Sequence, residues 1–147
     1  MATGARQQII GLGAGEIRKV EWMSDMVAAF RQAEQLVAMR RPLDALAALA
    51  PVLEAEADKP SVQLLAGRAY LGSAQLRRAE EAFRKVIELD PNDHYAHFAL
   101  GRALQRQSRY TEARLELKLA TAMHPVPEYQ EALSEVNARI ALNEDVD

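Results

Sequence analysis

Between Ala79 and Ile87 the apolar side chains of Ala79, Ala82, Phe83, Val86 and Ile87 fall three and four residues apart, with charged residues between them. That spacing gathers them on one face of an α-helix and predicts an amphipathic helix laid against a core. The pattern returns near the C-terminus, where Leu133, Val136 and Ile140 share a face and Glu131, Glu135 and Arg139 point the other way. Residues 128–142 are therefore expected to be a helix that caps the preceding structure, followed by an acidic frayed tail over 143–147. Asp90-Pro91-Asn92-Asp93 stops one helix and caps the next. Gly67 and Gly101 lie inside helical patterns, where glycine costs about 0.5–1 kcal/mol relative to alanine, so each is expected to mark the close approach of a paired helix.

The pattern has a period. A shift of 34 residues puts Gly67 on Gly101, Arg68 on Arg102, Ala69 on Ala103, Ala79 on Ala113 and Pro91 on Pro125. The second copy reads Ala66-Gly67, Tyr70, Ala79, Phe83, Val86 and Leu89-Asp90-Pro91-Asn92, and the third Leu100-Gly101, Leu104, Ala113, Leu117, Ala120 and His124-Pro125. A worn first copy holds Ala33, Leu36, Ala45, Leu49 and Val52, with Ala57 in place of the closing proline and Pro42 at the start of its second helix, where proline is tolerated. This spacing and these residues resemble the tetratricopeptide repeat. The resemblance implies an all-α, right-handed superhelical solenoid of antiparallel helix pairs. The expected units are an N-terminal extension over 1–25, repeats over 26–59, 60–93 and 94–127, and the cap. The family's early tryptophan is absent, its place being taken by Ala29, Gln63 and His97.

Composition agrees with a helical domain. Of 147 residues, 49% are hydrophobic and only 5% aromatic, with no cysteine; this rules out disulfides and cysteine-ligated zinc. A net charge of −3 gives no general reason to seek nucleic acid. No stretch approaches the ~20 apolar residues of a membrane span, and no signal peptide is read at the N-terminus. The expected setting is the cytoplasm, with no membrane partner.

The first 25 residues read less plainly. Gly11-Leu12-Gly13-Ala14-Gly15 lacks the Lys-Ser/Thr of a phosphate-binding loop and is expected to be a linker. Ile9-Ile10 and the alternating Ile17, Val20 and Trp22 suggest a small hairpin or a strand along a groove, after which Ser24 or Asp25 would cap the first repeat helix. An enzyme needs a constellation of groups, and none is evident. His94 and His97 are spaced i, i+3 but lack a third metal ligand in sequence. No cofactor or metal is expected.

The resemblance implies that the first helices of successive repeats line a concave face used to hold polypeptides. On that face it places Arg68, Arg102 and Arg106 as cations, Gln105 as a polar neighbour, and Leu64, Tyr95 and Phe98 as apolar contacts. The expected function is a non-enzymatic scaffold for an acidic protein or peptide segment with apolar anchors. Some family members clamp the acidic ends of heat-shock chaperones; Phe30, Glu34, Leu65, Tyr95 and Ala99 stand where those clamp residues would fall, so that role is not expected here. The alternative function is self-assembly into a structural homo-oligomer through Ile9-Ile10, Trp22 and the solenoid ends.

Overall fold

A computed structural model describes residues 11–146, with side chains placed up to Glu144. Among these, seven helices run in order: α1 (Ala14–Ala38), α2 (Pro42–Ala55), α3 (Pro60–Gly72), α4 (Leu76–Leu89), α5 (His94–Arg106), α6 (Tyr110–Met123) and α7 (Pro127–Val146). They pack as antiparallel pairs, α1 with α2, α3 with α4 and α5 with α6, closed by α7. The fold is an all-α solenoid. The backbones of the odd-numbered helices approach one another in succession, whereas those of α2, α4 and α6 stay apart, with the Arg84–Glu112 ion pair, at 3.7 Å, bridging α4 and α6. An inner row that touches and an outer row that splays is a curved stack, concave on the side of α1, α3, α5 and α7.

The turn inside each pair repeats atom for atom. Arg40, Ala74 and Ser108 adopt φ of 59°, 60° and 61°, the left-handed region. The amide after each reaches back five residues: Arg41 donates to the Leu36 carbonyl at 2.8 Å, Gln75 to Tyr70 at 2.8 Å and Arg109 to Leu104 at 3.0 Å. These are Schellman closures, which satisfy carbonyls left open at a helix end. The turns between pairs use helix starts instead. Pro60 fills the first turn of α3, and the Asp93 carboxylate accepts the Ala96 amide at 3.0 Å to cap α5.

Gly67 and Gly101 are close approaches, as expected. A β-carbon on Gly67 would overlap the ring of fully buried Phe83, and one on Gly101 would lie 2.7 Å from Leu117 Cγ. The core divides in two. One part joins Phe83, Leu100, Leu104, Leu117, Tyr129 and Val136; the other joins Ala33, Leu49, Val52, Val62 and Leu65; Tyr70 packs against both.

Two expectations for the ends fail. Residues 14–25 form neither hairpin nor linker, because α1 runs unbroken from Ala14 with Gly13 before it. No proline or glycine interrupts the chain from Glu16 to Ala38, so nothing stops the helix, and Ser24 and Asp25 lie within it rather than capping it. Glu16 closes the start by accepting the Gly13 amide at 3.3 Å. At the other end the helical backbone continues through Val146 rather than fraying after residue 142. Ile9 and Ile10 lie outside the described residues.

Candidate functional site

The concave face is built by α1, α3, α5 and α7, and its character changes along its length. Where α1, α3 and α5 meet, Val37, Arg40, Pro42, Arg68, Leu71, Gly72, Tyr95 and Arg106 enclose an open cleft of about 620 Å³. Arg68 and Arg106 are exposed. The Arg106 Nη1 donates to the Leu71 carbonyl at 2.8 Å, which fixes the guanidinium at the cleft rim with most of its five N–H donors uncommitted. Arg68 stands beside the Tyr95 hydroxyl: burial pushes that hydroxyl above its usual range, and the adjacent guanidinium works against the rise. Among the described residues the ion pairs within 4.0 Å use neither Arg68, Arg106 nor Arg40.

Arg102 is placed otherwise. Its Nη1 bonds Glu135 of α7 at 2.8 Å and Gln105 at 2.9 Å, and its guanidinium carbon lies 5.7 Å from the centre of the Phe98 ring. The Arg102 hydrogen bond, helped by Gln105, holds the Glu135 carboxyl below the usual range. Phe98 is not a surface contact: it is 6% exposed and stacked on Tyr129 of α7, centroids 4.5 Å apart. The cap thus takes over the third repeat's share of the groove, covering the apolar anchor and neutralising the cation. Leu64 and Tyr95 are half-buried against the core, Tyr95 with an edge on the 620 Å³ cleft, and Gln105 leans to Glu135 at 3.4 Å. A second cleft of about 720 Å³ continues past them, lined by Leu71, Arg102, Arg106, Tyr110, Glu135, Arg139 and Leu142. At the first repeat a cleft holds charges of both signs, Lys19, Arg31 and Lys59 with Glu34 and Glu56, around Trp22, Met26 and Phe30.

Two groove residues escaped the sequence reading. Glu135 had a signal: one more 34-residue step from Gly101 lands on it, which puts it next to Arg102 in the stack. Tyr129 had none, because its burial depends on how α7 docks.

His97, weighed as a metal ligand, has a structural post. It is buried, with Nδ1 2.7 Å from Glu116 and Nε2 3.1 Å from the Pro91 carbonyl, so it ties α5 to α6 and to the preceding turn. His94 bonds the Tyr129 hydroxyl at 2.8 Å and stacks on His124. Among the described residues no three His, Cys, Asp or Glu side chains are grouped to hold a metal. No described helix is long and apolar enough to cross a membrane.

Two arginines at the turns within pairs are engaged by carboxylates. Arg109 bonds Glu80 at 2.6 Å and Glu112 at 2.7 Å, and Arg41 bonds Asp44 at 2.8 Å.

Residues 64–126 match the family model described as tetratricopeptide repeat. No curated protein matches the chain. Among solved structures, the first tetratricopeptide domain of Spaghetti (RPAP3) bound to the HSP90 peptide SRMEEVD superposes with TM-score 0.75 at 14% identity, over 80% of this chain and 94% of that one. The second such domain of human RPAP3, in complex with the HSP70 peptide SGPTIEEVD, gives 0.71 at 16%, over 78% and 97%. MamA protein gives 0.75 at 14%, over 98% of this chain and 81% of that one. At these identities the likeness is one of fold.

Proposed function

We propose that this chain, a tetratricopeptide repeat protein by its family match over 64–126 and by its fold, is a non-enzymatic adaptor that holds an acidic peptide segment in its concave groove. The observation that carries the reading is the pair Arg68 and Arg106, exposed on one cleft of about 620 Å³ and free of carboxylate partners among the described residues. Uncommitted guanidinium groups above an apolar floor suit carboxylates flanked by hydrophobic side chains. The peptides bound by the two RPAP3 domains both end in Glu-Glu-Val-Asp, which supports an acidic ligand for this architecture. In this reading Arg68 and Arg106 meet the carboxylates and Leu64, Leu71 and Tyr95 take the apolar side chains. Arg102 and Gln105 contribute through their network with Glu135, and Phe98 supports the wall from behind.

The test uses two synthetic peptide pools with the same Leu and Phe anchors, one rich in Asp and Glu and the other in Asn and Gln. Fluorescence anisotropy should show preference for the acidic pool, and Arg68→Glu should weaken it by about tenfold or more, since a lost charge-assisted contact is worth 1.5–3 kcal/mol. Equal binding of both pools, or unchanged binding by Arg68→Glu with its helical spectrum intact, would move the site off this groove.

A further inference from the structure

α1 has 25 residues where the helices of the other pairs have 13 or 14. Its outer side carries a stripe of Glu16, Val20, Met23, Ser24, Val27, Ala28 and Arg31, spaced by threes and fours and so on one helix face. That face lies roughly a third of a turn from the one formed by Met26, Ala33 and Val37, which packs on the core. Met23 is 51% and Val27 52% exposed. With Val20, Ser24, Ala28 and Arg31 they line a shallow cleft of about 400 Å³. An apolar stripe on a long helix, with small residues that permit close approach, calls for another helix.

The order of the residues says which one. Turning the stripe end for end about the point between Met23 and Ser24 lays Val20 on Val27, Met23 on Ser24 and Glu16 on Arg31. The stripe is its own complement when antiparallel. In a parallel pair Glu16 would meet Glu16 and Arg31 would meet Arg31. We propose that two copies of this chain associate through α1, as an isologous antiparallel helix pair with an apolar centre of Val20, Met23 and Val27 and a Glu16–Arg31 ion pair at each end. The Gly13 amide engages one carboxylate oxygen of Glu16, Oε2, at 3.3 Å, and Glu16 is exposed. Trp22 points away from the stripe, into a cleft with Met26, Val52 and Val62 whose rim Met23, Val27 and Arg31 share. The contact runs roughly 24 Å, the length of 16 helical residues, and buries on the order of 1,000 Å², the lower end of specific interfaces. Interfaces of that size are typical of weak, reversible association.

Sedimentation equilibrium of the full chain from about 5 to 500 µM spans concentrations at which weak association is read. The wild type should pass from monomer to dimer. Val27→Asp and Arg31→Glu should remain monomeric with unchanged circular dichroism, and the exchange of both charges, Glu16→Arg with Arg31→Glu, should restore the dimer. A wild type that is monomeric throughout, a dimer indifferent to Arg31→Glu, or a charge exchange that fails to restore association overturns the proposal. None of these readings involves peptide binding, so they stand or fall apart from the groove.

Discussion

Arg40, Ala74 and Ser108 hold the same left-handed backbone angle 34 residues apart, and none of them is a glycine. The conformation brings a side-chain β-carbon close to the next carbonyl and costs an L-residue roughly 1–2 kcal/mol. The Schellman closures impose it, since the amides of residues 41, 75 and 109 must reach back over the turn. Ala74 is exposed and its side chain makes no hydrogen bond, so its replacement removes the strain without losing a contact. Ala74→Gly should therefore raise unfolding free energy by about 0.5–1 kcal/mol, glycine's greater freedom in the unfolded chain offsetting part of the gain. Urea titration followed at 222 nm would read this, and a lowered midpoint would mean that the turn is not strained.

At the scale of elements, the repeats were legible in the sequence and the N-terminal segment was not. Gly67 and Gly101 announced their helix contacts because glycine in a helix has few other causes, and the closing prolines fixed the phase. Between Gly13 and Asp25 the short run of Ile17, Val20 and Trp22 suggests an extended segment, whereas Val20 and Val27 belong to a helical stripe that shows only over four turns. The groove was half legible. Arg68 and Arg106 line one cleft of the inner row, but Phe98 and Arg102 are claimed by α7, whose docking rests on long-range contacts. Tyr129 anchors that docking: it is 3% exposed, stacks on Phe98 and bonds His94. Tyr129→Ala should cost about 3 kcal/mol by leaving a cavity under α7, and Tyr129→Phe only about 1 kcal/mol for the lost hydrogen bond. Equal midpoints for the two variants in thermal unfolding would show that α7 is held elsewhere.

For the whole molecule, three carboxylates link helices and set the response to acid. Burial alone would raise Glu80, but hydrogen bonds from Gln107, Arg109 and Arg84 outweigh it and hold it below the usual range. Arg109 does the same for Glu112, and Arg102 for Glu135. A carboxylate lowered by folding adds stability that is complete above its unfolded value and is lost as pH falls through its folded one. The melting temperature should thus hold level down to about pH 5 and decline below about pH 4. Glu80→Gln should flatten part of that decline, and a profile identical to wild type would place the acid response in other groups.

The two core clusters share little beyond Tyr70, and the bonds made by Arg109, Arg102 and His97 all lie on the side of α4 to α7. The first helix pair accordingly has its own, shallower reservoir of free energy. Its backbone amides should exchange with deuterium sooner than those of α5 and α6, through openings that leave the rest of the stack closed. If α1 is also where two copies meet, its exchange slows as concentration rises while that of α6 does not. The order of one end of the molecule then becomes a function of how much of it is present.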